Sequence, residues 1–386
     1  MKTVRDSLKI CSITLGSIIG AGFITGKELV LFYGADGFLS SVIFSCVLFG
    51  VCFFILFYLG NKNGGLEGLN GKLFERKKAL SFALLFSSFV SFCSLLAVLD
   101  LVWQSLNFFP KLPVLSILCL SLCIPVVKNG IQSLEKLSII LVPICIIFTL
   151  ICAFNGDKIN FSELSLEKTS KIGPILYVCM NCFINLPPLL DTAVGKTKKS
   201  LILSSIVCAL VISFLSTIIM SCVLAKKDSA FSSMPFLVAT GNNGIFKVCL
   251  TLAVVSSVFS CFYLIYKNAS KTKGDKGAVF SLILAFVFSR FGFSAIVNYM
   301  YPIIGGLGAL YLLRCIIFLC KNFLNKKRIS SNNKFIQKRG KKMSRKRKTK
   351  TRKLTEKDYN NYIMSLKDEK PPKLVEEYQK EKSLEE

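Results

Sequence analysis

The first long apolar segment of the chain, 10–32, is interrupted by glycines near its centre. It is long enough to cross a bilayer, which takes roughly 20 apolar residues, yet it contains Gly20-Ala21-Gly22 and then Gly26, followed by two charged residues. Backbone groups that are freed at membrane depth are tolerated only where protein or a water-filled cavity satisfies them. Broken helices of this kind form the substrate sites of many secondary transporters. The segment therefore predicts a transport site inside a membrane protein.

The composition supports a polytopic membrane protein. The chain has 386 residues, of which 52% are hydrophobic and 33 are Phe, and its mean hydropathy is +0.56. We expect no cleaved signal peptide, because the first apolar stretch is too long and no small-residue cleavage site follows it. The 16 Cys fall in apolar segments, so we interpret them as small apolar side chains instead of disulfides. The absence of His excludes imidazole chemistry, and we expect neither an enzyme nor a resident metal.

The hydropathy pattern predicts about ten transmembrane spans. They cover about 8–32, 37–60, 79–103, 112–127, 131–153, 172–190, 199–224, 246–267, 276–292 and 294–320. Lys and Arg are more frequent in the loops on the side of the N-terminus than in the opposite loops, which by the positive-inside rule places both termini in the cytoplasm. We therefore expect a multi-pass protein of the cell membrane.

The spans divide into two groups of five with nearly equal length, 8–153 and 172–320. A unit with an odd number of spans reverses its orientation when it is repeated, so this division predicts an inverted repeat and a second break in span six. Span six does contain Asn181 and Asn185, one helical turn apart, and then Pro187-Pro188, which disfavour helix just before them. The expected fold is all-α with spans 1 and 6 broken. The alternative is an ordinary packing kink in each span.

The first-span motif Gly-Ser-Ile-Ile-Gly-Ala-Gly-Phe-Ile-Thr-Gly-Lys-Glu, at 16–28, resembles the YkvI-type family of bacterial membrane proteins. That family belongs with the amino acid–polyamine–organocation superfamily, which has the fold of LeuT. The run 130–136, which leads into a span with Pro143, and the broken sixth span are further points of likeness. Lys27 stands where we would expect an uncharged polar residue. The resemblance covers about 8–320 and implies a substrate held near the midplane between spans 1, 3, 6 and 8.

The resemblance and the break together indicate an amino acid or amine as substrate. A half-helix that begins after the break would offer N–H groups to a carboxylate, and carbonyls that end the preceding half-helix would suit an ammonium group or Na⁺. Glycine also lets a ligand approach the backbone closely. The predicted substrate-binding residues are Ile18, Gly20, Ala21, Gly22, Gly26, Asn181 and Asn185.

The ion that would drive transport is left open between Na⁺ and H⁺. In Na⁺-coupled members of this fold, hydroxyl groups of span eight and carbonyls of the first span together form an oxygen shell around the ion. The corresponding residues in this chain are Ile19, Ser256 and Ser257. For the two serines, ordinary helix packing is the alternative. Lys136 could replace Na⁺ and couple transport to protons, or lie at the interface. Glu28 either lines the outer path and handles a proton, or is solvated at the outer interface.

The C-terminal part of the sequence differs from the rest. We expect a transmembrane core over 1–325 and a disordered cytoplasmic tail over 326–386, in which 326–353 carries 15 Lys and Arg and no acid. We expect such a run to be attracted to anionic membrane lipids. Nucleic acid is the less favoured partner, because few aromatic residues are present for base stacking, although the same electrostatic attraction would act on it.

The favoured function is a secondary active transporter of a small solute. A non-transporting membrane receptor on the same fold is one alternative, and an insertion or ribosome-docking factor, suggested by the tail alone, is another.

Overall fold

A computed structural model of the chain describes residues 2–34, 37–74, 77–106, 112–128, 131–155, 171–241 and 244–351. The side chains of 131–139 and 325–351, and those of some isolated residues, lie outside that description. The chain divides into two compact units, Met1–Phe318 and Leu319–Glu386. Across these ranges the secondary structure is helical, so the predicted all-α class is confirmed.

The described residues form helices of very different lengths, and the last of them ends beyond Phe318, the end of the first unit. The helices are α1 (Lys2–Ile18), α2 (Ala21–Ile24), α3 (Lys27–Tyr33), α4 (Phe38–Asn63), α5 (Gly65–Leu73), α6 (Lys77–Ser105), α7 (Val114–Lys128), α8 (Ile131–Asn155), α9 (Ile172–Ile184), α10 (Leu186–Asp191), α11 (Lys198–Ala225), a 3₁₀ turn (Lys227–Phe231), α12 (Pro235–Ala239), α13 (Gly244–Ser289) and α14 (Phe293–Thr351).

Five described helices are long and apolar enough to cross a membrane, which supports a membrane protein. They comprise Phe38–Asn63, Ala79–Ser105, Lys198–Ala225, Gly244–Ala269 and Phe293–Leu324, and shorter apolar helices lie at Val114–Lys128, Pro143–Phe154 and Ile172–Ile184. Spans 1 and 6 are absent from the first set because breaks divide them into short helices. The count of ten spans and the inverted repeat stay predictions.

Helix α13 covers both predicted spans eight and nine, but it is not continuous. Gly274 has φ 61° and ψ −152°, which is not helical and is accessible mainly to glycine. This point falls between the predicted ranges 246–267 and 276–292. The chain therefore leaves helical geometry where the sequence predicts a loop between two spans.

Close helix contacts in the first unit depend on glycine. A Cβ at Gly60 in α4 would overlap the backbone of Leu190 in α10, and a Cβ at Gly308 in α14 would overlap the backbone of Cys179 in α9. Small residues allow this approach between helices in membranes. These two contacts fix both parts of the broken sixth span against long helices.

The structure continues α14 to Thr351, and so assigns helix to part of the segment 326–353 in which we expected disorder. Lys, Arg and Gln are good helix formers, so a run rich in them can extend the last span. The domain boundary at 325 stays a prediction. Residues 352–386, the rest of the predicted tail, lie outside the described residues.

Candidate functional site

The first span is interrupted twice. Helix α1 ends at Ile18, and the N–H of Gly20 donates to the Ile18 carbonyl at 2.7 Å, a turn too tight for an α-helix. The short helix α2 follows, and then Gly26, with φ 77°, turns the chain into α3. The predicted break is confirmed and begins at Ile19 and Gly20, while the second interruption at Gly26 was not predicted.

The first interruption leaves backbone groups without helical partners. Among the described residues, no backbone carbonyl accepts from the N–H groups of Gly22 and Phe23. No described backbone N–H donates to the Ile19 carbonyl, and the Ile18 carbonyl accepts from Gly20. However, the helix after the break is only four residues long. The macrodipole that we expected to attract a substrate carboxylate is therefore limited to about one turn, because it depends on aligned peptide units.

The sixth span is broken at Asn185, which lies between α9 and α10 with φ −98° and ψ 17°. Pro187 and Pro188 belong to the first turn of α10, where the missing N–H groups have no helical partner in any case. The amide nitrogen of the Asn185 side chain donates to the Asn181 carbonyl at 2.9 Å, and that of Asn181 donates to the Tyr177 carbonyl at 3.0 Å. The asparagine amide nitrogens therefore donate to carbonyls of their own helix, and their oxygen atoms are what they can offer a ligand.

The break in the first span faces helix α13. A Cβ at Gly20 would lie 3.2 Å from Oγ of Ser257, and this hydroxyl donates to the Ala253 carbonyl at 3.1 Å. Ile18 and Ile19, which precede Gly20, are both buried, each with 3% of its surface exposed. The structure thus brings the predicted first-span and eighth-span residues together. The side chains of Ala21, Lys136 and Ser256 lie outside the described residues.

Glu28 folds back onto the break. Its carboxyl group occupies the space that a Cβ at Gly22 would need, so a side chain at that position would displace it. Glu28 is 6% exposed, and the expectation of a solvated place at the outer interface is wrong. Within the described residues, the carboxyl group forms no ion pair.

Three buried tyrosines lie within electrostatic reach of this carboxyl group: Tyr33, Tyr177 and Tyr301. The rings of Tyr33 and Tyr177 meet edge to face with their centroids 5.2 Å apart. The Tyr301 hydroxyl lies 2.6 Å from Oγ of Ser94, whereas the Tyr177 hydroxyl has no hydrogen-bond partner among the described residues. An acidic and hydroxyl-rich cluster therefore adjoins the break.

A cavity of about 190 Å³ lies next to the two breaks. Its walls come from α1, α6, the α9–α10 junction and α13, and include Ile13, Ser17, Ser88, Asn185, Asp191 and Cys261. The cavity lies on the side of the bundle at which α1 begins. The helix α10, which contributes to its wall, leads to Lys196, and the Lys196 ammonium group pairs with Asp6 near the start of α1 at 3.0 Å. We call this the N-terminal side.

The opposite side of the first-span break is covered. The Phe236 N–H in α12 donates to the Thr25 carbonyl at 2.9 Å, and the Lys27 ammonium donates to the Ser232 carbonyl at 3.2 Å. Gly26 packs against Phe236 and against Ile219 of α11. Gly26 is therefore part of a packed turn and not part of the cavity wall.

Four buried serines of α6 were missed from the sequence. Ser87, Ser88, Ser91 and Ser94 are each at most 4% exposed, and Ser88 lines the cavity. Positions three and four apart share a helix face, so a polar stripe in an otherwise apolar span could have revealed them. Tyr177 and Tyr301 carried no comparable sequence signal, because tyrosine is common at membrane interfaces.

The sequence matches no family model and no curated protein. Solved structures do match over most of the chain. MhsT in complex with L-phenylalanine shares 13% identity and a TM-score of 0.60, covering 79% of this chain and 87% of that chain. Mhp1, a nucleobase-cation-symport-1 family transporter in a closed conformation with bromovinylhydantoin, shares 11% identity and a TM-score of 0.53, covering 77% and 74%.

A third match is a Na⁺-coupled sialic acid symporter in its substrate-bound outward-open state, with 12% identity, a TM-score of 0.53 and coverage of 80% and 78%. At such identities the likeness shows the fold alone. Membership of the YkvI-type family stays a prediction. The described part of the chain is helical, and the chain is a membrane protein with the LeuT-like fold of these solved structures.

Proposed function

We propose that the chain is a secondary active transporter that moves a small amino acid or amine-like solute by alternating access. The observation that carries this proposal is the approach of two broken helices to one cavity, which is lined by Ser17, just before the first break, and by Asn185, at the second. Interrupted helices leave polar backbone inside the membrane, and that backbone is tolerated where it lines a cavity. The structural neighbours are transporters, which agrees with this reading.

Alternating access requires a site that one side of the membrane can reach while the other side is closed. The cavity extends to Asp191, which is exposed on the N-terminal side. On the other side, α12 covers Thr25 through a backbone hydrogen bond. With the N-terminus in the cytoplasm, as the loop charges predict, the structure corresponds to an inward-facing state.

We propose Na⁺ as the coupling ion. Ile19 follows the end of α1, and the next residue, Gly20, adjoins the Ser257 hydroxyl of α13. A hard cation prefers oxygen ligands such as the Ile19 carbonyl and the Ser257 hydroxyl. One of the structural neighbours is described as Na⁺-coupled. Proton coupling through Lys136 is the competing mechanism.

The surrounding architecture completes the proposal. It consists of ten spans in two inverted five-helix repeats, with both termini in the cytoplasm and a basic C-terminal segment that contacts anionic lipids. Of the predicted substrate-binding residues, Asn185 lines the cavity, and Ser17, close to Ile18 and Gly20 in the sequence, lines it as well.

The experiment is uptake by proteoliposomes over a panel of amino acids and amines, with a Na⁺ or H⁺ gradient imposed. The proposal predicts gradient-dependent uptake of at least one solute. A protein that neither binds nor moves any solute of the panel would contradict it. Binding without flux in the same vesicles would instead identify a receptor.

A further inference from the structure

A buried carboxyl group without a described partner lies beside the break in the first span. Glu28 is 6% exposed, and its carboxyl occupies the Cβ space of Gly22. The neighbouring cation, Lys27, donates to the Ser232 carbonyl and forms no ion pair with Glu28. A buried carboxyl group stays protonated unless a cation compensates the charge of its ionised form. No described residue supplies that cation, so the arrangement is suited to one that arrives with a ligand.

The groups around Glu28 suit an ammonium ion. Aromatic rings of Tyr33 and Tyr177 lie close together in this cluster, and Phe49 meets Tyr177 edge to face with centroids 6.0 Å apart. Ring faces attract organic cations, and hydroxyl and carboxylate oxygens accept N–H bonds, the latter strongly. The Tyr177 hydroxyl, which has no partner within the described part of the chain, is available for such a bond.

The cavity and this cluster lie on either side of the same break. Gly20 adjoins Ser257 of α13, and Cys261, one turn further along α13, lines the cavity and lies within electrostatic reach of Tyr301. At about 190 Å³ the cavity is smaller than the roughly 300–1,000 Å³ of typical drug-sized sites. A solute that the cavity admits is therefore small.

We propose that Glu28 is the anionic group that recognises the substrate, and that the substrate is a small organic amine with no carboxylate of its own. The inference rests on the proposed transport function and narrows its substrate class. A carboxylate-bearing amino acid would bring a second negative charge to the Gly22 surface that Glu28 already occupies, and like charges repel strongly in a low-dielectric site. An amine that lacks this group pairs with Glu28 instead.

The test is equilibrium binding of matched pairs to the purified full-length protein, measured by calorimetry and by thermal shift. Two pairs consist of an amino acid and the amine that lacks its carboxylate, phenylalanine with phenethylamine and leucine with isoamylamine. The third pair is glycine betaine with choline, a quaternary ammonium ion in which a hydroxymethyl group replaces the carboxylate. We expect the amine of at least one pair to bind at least tenfold more tightly than its partner. Choline also shows whether the site accepts a cation without N–H donors.

Two variants locate the effect. Glu28→Gln removes the charge and should weaken amine binding at least tenfold, and Gly22→Ala should do the same by displacing the carboxyl. Glu67→Gln is the matched control, because that carboxylate is 76% exposed on α5 and pairs with Lys267; its amine affinity should equal that of the wild type. Should Glu28→Gln fail to fold, the comparison of matched pairs on the wild-type protein still tests whether the site prefers the amine to the amino acid.

Several results would overturn the inference. They are an amino acid that binds as tightly as its amine, a Glu28→Gln protein that keeps its amine affinity, and a wild-type protein that binds none of the amines. A Glu28→Gln protein that loses only proton-driven flux would assign the carboxyl to proton coupling. Gradient-driven uptake of an amino acid would overturn the inference while leaving the proposed transport function intact.

Discussion

At the scale of single residues, the site depends on two glycines for two different reasons. Gly20 lies where its missing side chain lets the first-span backbone approach Ser257, and Gly22 leaves space for the Glu28 carboxyl. A methyl group at Gly20 would be crowded against the Ser257 hydroxyl, and at Gly22 it would overlap Glu28. The break is thus shaped by close approach as much as by backbone flexibility.

The Ser257 hydroxyl provides the sharpest residue-level test of the Na⁺ proposal. A polar contact to a charged group contributes about 1.5–3 kcal/mol, so Ser257→Ala should weaken Na⁺ binding about ten- to hundredfold and leave the melting temperature without Na⁺ almost unchanged. The measurement is Na⁺-dependent thermal stabilisation of the purified protein. Ser121→Ala, at an exposed position on α7, is the control, and equal Na⁺ responses in the two variants would argue against a Na⁺ site at Ser257.

At the scale of helices, a polar group ties three of them together away from the cavity. Asp100 of α6 accepts from the Ser116 hydroxyl of α7 at 2.6 Å and pairs with Arg290, just after α13, at 2.5 Å. The Asp100 side chain is 8% exposed and that of Arg290 is 43% exposed. This contact is placed to hold the bundle together and not to bind the solute.

Removing this carboxylate should therefore destabilise the fold without changing substrate affinity. Loss of one partner from a buried pair costs about 3–5 kcal/mol, and the exposed Arg290 reduces that figure, so Asp100→Ala should cost about 1–3 kcal/mol in unfolding free energy. Thermal or denaturant unfolding measures it. Asp275→Asn, which breaks an exposed pair with Lys128, should change stability little; a similar loss in both variants would refute the special role of Asp100.

A second contact holds the start of α1 against the loop after α10. The hydrogen bond and ion pair with Lys196 hold the pKa of Asp6 below its ordinary value. The contact therefore stabilises the folded state above the ordinary aspartate pKa of about 3.9, and it is lost as the pH falls through the lower pKa of the folded protein. Opening the N-terminal side further would require this contact to separate.

The melting temperature of the wild type should accordingly exceed that of Asp6→Asn by a constant margin between pH 5 and pH 8. The margin should shrink as the pH is lowered below about 4, where the carboxyl becomes protonated. A margin that persists at pH 2.5, or that is absent at neutral pH, would show that the ion pair does not stabilise the fold. Lys196→Gln should reproduce the Asp6→Asn result.

For the molecule as a whole, we expect solvent to reach the cavity from the cytoplasmic side of the membrane. Cys261 lines the cavity and is half-buried, whereas Cys208 of α11 is fully buried. A membrane-impermeant maleimide should label Cys261 in inside-out vesicles and not in intact cells, as read by peptide mass spectrometry, and Cys208 should stay unlabelled in both. Labelling of Cys261 from outside alone would reverse the predicted orientation.

Local sequence patterns predicted both helix interruptions, because glycine and proline act on their own backbone. They did not predict that Asn185, and not the prolines, stands at the second break, since that depends on where α10 begins. The return of Glu28 onto Gly22 could not be predicted, because it results from the turn at Gly26 packing against α11 and α12. The buried serines of α6 were within reach of a helical-spacing argument.

Secondary active transport is tested most directly by measuring whether proteoliposomes concentrate a solute that binds the protein. With an inward Na⁺ gradient, we predict that the internal solute concentration rises above the external one and that an ionophore which collapses the gradient abolishes the excess. The Ser257→Ala protein should equilibrate the solute without concentrating it. Bound solute that never crosses the membrane, or uptake that only equilibrates whatever ion gradient is imposed, would contradict a secondary active transporter.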